Sequence, residues 1–209
     1  MPEENRGSTR RSEPKYLKEA KLLAKDYTRM LDEQKMLQKR LAGSWVYTID
    51  MAIDELNNIT VSYENERVQS SNISNPTERI ALKLTDAYMA RKQRELAAER
   101  DACAMELDYI NWKVGVVEAV IKERLDDELK DMFTLQYKGH KTYEETQDIL
   151  QKKRKRSASR KKIIKQKREI VELLSKELEL RESIAEDKCY ITKLCQEVNI
   201  AEREENNSA

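Results

Sequence analysis

The sequence predicts an all-α protein: long helices with heptad seams, a C-terminal helix-turn-helix-like unit, and a heptad pattern that could form a C-terminal coiled coil. Three observations lead there. Charged residues make up 38% of the chain and hydrophobic ones 39%, with four Gly and three Pro in 209 residues. Few breakers and abundant Glu, Lys, Arg, Leu and Ala favour helices that bury narrow stripes against one another over a large globular core. Apolar residues also recur at intervals of seven over long distances, the spacing of a helix–helix seam. Finally, two stretches carry the polar signature of a helix start, Asn75-Pro76-Thr77-Glu78 and Thr142-Tyr143-Glu144-Glu145.

Residues 1–14 are polar, end in Pro14 and are expected to be disordered. From Tyr16 the apolar positions step by four and three: Tyr16, Ala20, Leu23, Tyr27, Met30, Leu37 and Leu41, with Gln34 the one break. Gly43 can end this helix and Ser44 can cap a second, with Trp45, Ile49, Ile53 and Leu56 on one side and Ala52 beside them. Residues 15–59 thus read as an N-terminal helical pair. The Ser- and Asn-rich stretch 60–75 reads as a linker loop.

At Asn75 the polar residue can cap, Pro76 suits the first helical position and Glu78 can complete a capping box. A long central helix follows over 76–122. Leu82, Met89, Leu96, Cys103, Ile110 and Val117 lie at strict intervals of seven, and Leu107, Val114 and Ile121 form a second row. Plain core packing accounts for these residues, and no cofactor site is visible in them.

Residues 123–178 form the expected helix-turn-helix-like DNA-binding unit. A short acidic helix offers Leu125, Leu129, Met132 and Phe133. Tyr137-Lys138-Gly139-His140 reads as a turn, with His140 a turn residue and not a catalyst. Thr142 and Glu145 make a capping box, and the helix they open offers Tyr143, Thr146, Ile149 and Leu150 inward. A cationic run then arrives. Between Gln151 and Arg168 stand eleven Lys or Arg residues and no Asp or Glu, in a chain whose formal net charge is only +1. Charge separated in this way suggests a polyanion partner, with DNA the first candidate; a solvated basic loop is the bland reading of the same run.

Ser157 or Ser159 can cap the next helix. Ile163, Ile170, Ile184, Ile191 and Val198 repeat by sevens with Glu177 the lapse, and Leu173, Leu180 and Leu194 form a companion row. This pattern either extends into a C-terminal coiled coil, which would make a homodimer, or folds back on the central helix. Residues 179–209 form an acidic helical tail.

Other classes find little support. No Gly-rich phosphate loop, Ser/His/Asp set or Cys/His set is present, so an enzyme is not expected, and neither is a cofactor or a small-molecule substrate. Cys103, Cys189 and Cys195 lack CxxC spacing and the chain has one histidine, so no metal site is expected. The thiols read as small core residues in a reducing cytosol. No apolar run approaches the roughly 20 residues that cross a bilayer, and the polar N-terminus is not a secretory signal. No membrane partner is expected.

Three stretches resemble the small phage-encoded late-operon transcriptional regulators of the RinA and ArpU type, whose C-terminal part is similar to the −35-reading helix-turn-helix of sigma factors. They are Glu66-Arg67-Val68-Gln69-Ser70-Ser71 running into Asn75-Pro76-Thr77-Glu78, then Leu125 to Gly139, then Thr142-Tyr143-Glu144-Glu145 followed by Ser159-Arg160 and Lys165 to Val171. Coverage is roughly residues 45–178. The family joins its two helices by a short turn, often with Gly; here Gln151 to Ala158 separate Leu150 from Ser159, without Gly. Either the first helix runs on or a basic loop is inserted.

The resemblance implies a sequence-specific regulator that binds double-stranded DNA, contacts RNA polymerase and acts in the cytoplasm of a bacterial host cell. In such a motif the second helix enters the major groove. Arg160, Lys161 and Lys165 are the expected base-facing residues. Lys152, Lys153, Arg154, Lys155, Arg156 and Arg168 are expected to neutralise phosphates, and Lys162 belongs to the same basic set. With about six phosphates contacted, log affinity would fall with log salt at a slope of roughly −5. Two rival readings stay open. One is a non-enzymatic coiled-coil interaction protein, a phage accessory or inhibitor, whose basic run meets an acidic protein surface. The other takes Lys152-Lys153-Arg154-Lys155-Arg156 as a nuclear localisation signal.

Overall fold

The computed structural model describes residues 14–55, 86–154 and 159–207. Every regular element among them is helical: α1 Leu17–Leu41, α2 Asp86–Glu123, α3 Asp127–Phe133, a π-helical turn Thr134–Lys138, α4 Tyr143–Arg154, α5 Arg160–Glu182 and α6 Lys188–Asn207. Residues 49–55 are helical as well. The expected linker over 60–75 and the helix start at Asn75 lie outside the described residues. The chain forms two compact units. One takes the chain up to Gln34 and from Tyr109 onward; the other is Lys35–Asp108.

In the larger unit the predicted stripe is the buried one: Tyr16, Ala20, Leu23, Tyr27 and Met30 are sequestered, and Ala24 is buried with them. The Tyr27 hydroxyl donates to Glu118 near the end of α2 at 3.4 Å, where Ile110, Val114, Val116, Val117 and Val120 are buried. Tyr27 packs edge-on against Phe133 at 5.4 Å, and Phe133 packs against Tyr137 at 5.2 Å. Thr28 Oγ1 donates to the Tyr137 carbonyl at 3.1 Å, fixing the π-helical turn against α1. The Tyr16 N–H donates to Ser175 Oγ at 3.2 Å, tying the start of α1 to α5.

The heptad pattern that could have extended α5 into the tail is interrupted. α5 ends at Glu182, the chain turns through Ser183–Asp187, and Ile184 and Leu180 are exposed. Ser183 takes up the loosened end of α5: its N–H and its hydroxyl both donate to the Leu180 carbonyl, at 3.2 and 2.6 Å. Arg181 braces the corner, reaching Glu177 at 3.2 Å and Asp187 at 3.6 Å. Of the two arrangements the heptads allowed, α6 folds back. Tyr190 lies 5.8 Å from the ring of Tyr109 and 5.5 Å from that of Trp112, both on α2. Lys113 on α2 reaches Glu197 at 3.3 Å, while Lys18 on α1 pairs with Glu202 at 2.7 Å. The acidic tail therefore pairs with cations of α1 and α2.

In the smaller unit Leu37, Ala52 and Cys103 are buried. The second helix starts later than the Ser44 cap implied. Residues 44–48 are not helical, and Thr48 Oγ1 accepts the Met51 N–H at 3.3 Å. Gln93 holds that stretch, accepting from the Tyr47 N–H at 2.8 Å and donating to the Trp45 carbonyl at 3.0 Å. Gly43 closes α1; a Cβ there would sit 3.1 Å from the Arg40 carbonyl oxygen.

Candidate nucleic-acid interface

The basic run is held by three short elements, each terminated by local chemistry. Asp126 caps α3, accepting the Leu129 N–H at 2.8 Å, and Leu129, Met132 and Phe133 go inward as expected. The turn expected at Tyr137 begins later, because Thr134–Lys138 wind into a π-helical turn. The Gly139 N–H closes it on the Thr134 carbonyl at 2.8 Å, and a Cβ at Gly139 would crowd two carbonyl oxygens at 3.1 and 3.3 Å. His140 then takes φ 47°, the left-handed conformation of a chain reversal.

The capping box at α4 forms as read. Thr142 Oγ1 accepts the Glu145 N–H at 3.2 Å, and Glu145 accepts the Thr142 N–H at 2.9 Å. That backbone bond, more than the neighbouring Lys141, holds the Glu145 carboxyl below the usual carboxylate range. Thr146 and Leu150 are buried, whereas Ile149 faces solvent, contrary to its expected inward position. α4 continues to Arg154, so the first part of the long connection from Leu150 is helix. Ser159 caps α5 by accepting the Lys162 N–H at 3.3 Å. α5 then buries Ile163, Gln166, Ile170, Leu174 and Leu178.

Each residue of a helix turns about 100° from the last, so consecutive cations diverge, and those of α4 and α5 take three directions. Lys161, Lys165 and Arg168 point outward from the first three turns of α5, within an arc of about 100° that also holds Ile164. All four are exposed. Arg168 pairs along the helix with Glu172 at 2.9 Å; Lys161 and Lys165, like Lys152 on α4, make no ion pair among the described residues.

A second group faces aromatic rings. Arg160 lies over Tyr143 at 5.5 Å, and Lys167 lies over both Tyr143 and Tyr137, at 5.2 and 5.5 Å. Burial pushes the Tyr137 phenol up to about 12, so it stays a neutral platform beneath the cation.

A third group is neutralised by α3. Lys153 reaches Asp131 at 2.7 Å, Lys162 reaches Glu128 at 3.0 Å, and Gln166 donates to the other Glu128 oxygen at 2.9 Å. Asp127, Glu128, Lys130, Asp131 and Lys153 line a groove of about 650 Å³. Lys155 and Arg156, and the side chain of Arg154, lie outside the described residues.

The ten residues expected to contact DNA are therefore not one uniform set. Lys161, Lys165 and Arg168 share a face. Arg160, expected at the bases, leans on Tyr143, and Lys153 and Lys162 are held by carboxylates. Sequence reasoning did not single out Lys167, Tyr143 as a platform, or Glu128 and Asp131 as partners. The signal for the last two was present: a short acidic helix of opposite charge close ahead of a basic run.

No group of His, Cys, Asp and Glu among the described residues could hold a metal ion, and no described helix is long and apolar enough to cross a membrane. Compared with models of known protein families, with curated proteins and with solved structures, the chain gives no match.

Proposed function

We propose that this chain is a DNA-binding regulator of transcription that docks α4 and α5 on duplex DNA, with the first three turns of α5 in the major groove. One observation carries the reading. The outward face of α5 presents Lys161, Lys165 and Arg168 with no acidic residue in the first turn, while the opposite face is pinned by Ile163, Ile170 and Leu174. A cationic helix face held rigid from behind is what major-groove docking requires. The resemblance to late-operon regulators points the same way. In this reading Lys152 and Arg168 meet phosphates, and Lys161 and Lys165 reach toward base edges.

The test is fluorescence anisotropy with labelled duplexes, including the DNA upstream of the protein's own gene, over a range of salt. With Lys152 and Arg168 each neutralising a phosphate, log affinity falls with log salt at a slope of about −2. Replacing Lys161 and Lys165 with Ala weakens binding to the preferred site more than to random duplex and leaves the slope little changed. A slope near zero for the wild-type protein overturns the reading.

A second reading, a protein-interaction module, is favoured by a separate observation. Met36, Val46, Ile49, Met51 and Met105 of the smaller unit are all exposed, Met36 and Met105 at 73%. Where such side chains adjoin in one patch they mark a docking surface. RNA polymerase is the partner that fits both readings. Retention of a protein partner after nuclease treatment, together with a flat salt response, favours this reading over the first.

A further inference from the structure

Ile164 is out of place on α5. Ile163, Ile170, Leu174 and Leu178 on the same helix are at 0% exposure, yet Ile164 is 48% exposed. Core packing does not hold it there. Its neighbours on the helix surface are Arg160 and Lys161 one turn before and Lys167 and Arg168 one turn after, a cation at each of the four positions. A cationic rim around an aliphatic centre suits a surface that is charged at its edges and apolar at one point.

Duplex DNA offers such a point in the major groove. Phosphates border the groove, the base edges inside are polar, and the apolar group on its floor is the thymine 5-methyl. Ile164 lies in the second turn of α5, within the early part of a recognition helix that faces bases. We propose that Ile164 is a specificity-determining residue that packs on a thymine methyl, so that the protein demands an A·T pair at one position of its site. The inference rests on the DNA reading above and adds to it an assigned base and the residue that reads it.

The test removes the two halves of the contact separately. Sites are selected from a random duplex pool with the wild-type protein. Each thymine of the winning site is then replaced by deoxyuridine, which lacks only the 5-methyl. At one position the replacement weakens wild-type binding about fourfold, the worth of one buried methyl. Ile164→Ala binds the thymine site more weakly and no longer distinguishes thymine from deoxyuridine there, whereas Ile164→Val keeps part of the discrimination. An exposed position makes these variants tolerable to the fold, and their thermal melts check it.

Wild-type protein indifferent to every deoxyuridine replacement, or Ile164→Ala as sensitive as wild type, overturns this inference and leaves the DNA reading standing. If the wild-type protein retains no duplex from the pool, the DNA reading fails and this inference fails with it.

Discussion

The carboxylates of α3 compete with DNA for the cations beside them, and removing them should strengthen DNA binding. The perturbation is Glu128→Gln with Asp131→Asn, two near-isosteric changes that delete the charges facing Lys162 at 3.0 Å and Lys153 at 2.7 Å. Both pairs are partly wet: Lys153 and Asp131 are 60% and 25% exposed, Lys162 and Glu128 50% and 41%. Solvent screening holds such pairs to about 0.5 kcal/mol each. Releasing both contributes about 1 kcal/mol to binding, or roughly a fivefold gain in affinity. The salt response is the sharper readout. Two more cations free to neutralise phosphates steepen the slope by about 1.8, at about 0.9 per contact. Anisotropy titrations over a range of salt measure both quantities. Asp148→Asn on α4 is the control, because Asp148 is exposed and makes no ion pair among the described residues. It removes a negative charge without releasing a cation, so the slope should not move. A double variant whose slope matches that of wild type and Asp148→Asn would refute the competition.

Three further outcomes check the packing. Leu174 is fully buried on the core face of α5, so Leu174→Ala should cost about 2–5 kcal/mol and lower the melting temperature by roughly 5–15 °C. The exposed Ile164→Ala should stay within about 0.5 kcal/mol of wild type, and similar melts for the two variants would mean that α5 is turned the other way. Burial pushes the phenol of Tyr27, aided by the Glu118 charge, and that of Tyr137 from 10.0 to about 12. Below pH 10.0 the folded and unfolded chains both keep these protons. Between 10.0 and about 12 only the unfolded chain loses them, so stability falls over that window. Phenolate absorbance should lag until the helical circular dichroism collapses, and Tyr27→Phe should soften the loss; full ionisation near 10 with the helices intact contradicts the burial of both rings. Tyr190→Ala should open the stack on Tyr109 and Trp112 and shift tryptophan emission to longer wavelength. An unchanged spectrum would show that α6 does not cover Trp112.

What could be read without coordinates was mostly local. The capping box of Thr142 and Glu145 and the Ser159 cap involve partners within three residues, so the pattern carries its own geometry. The stripe of α1 and the heptad of α2 at Cys103, Ile110 and Val117 were legible because a helix buries whichever side is apolar. Ile149 misled because its spacing fits the inward side of α4, yet α4 buries only the narrower strip through Thr146 and Leu150. The corner at Ser183–Asp187 carries neither Gly nor Pro. It is set by the Ser183 bonds, the Arg181 braces and the aromatic contact of Tyr190, and the last of these joins residues about eighty positions apart.

The sequence by itself determined that the chain is helical, where α4 and α5 begin, and that its positive charge gathers ahead of and within α5. Only the tertiary structure decided which of those charges face outward. Lys161 and Lys162 are adjacent in the chain, but a helix turns them about 100° apart. One enters solvent, and the other meets Glu128 across 3.0 Å. Charge is a property of composition, whereas its direction depends on which side of the helix the core takes and which acidic element packs beside it.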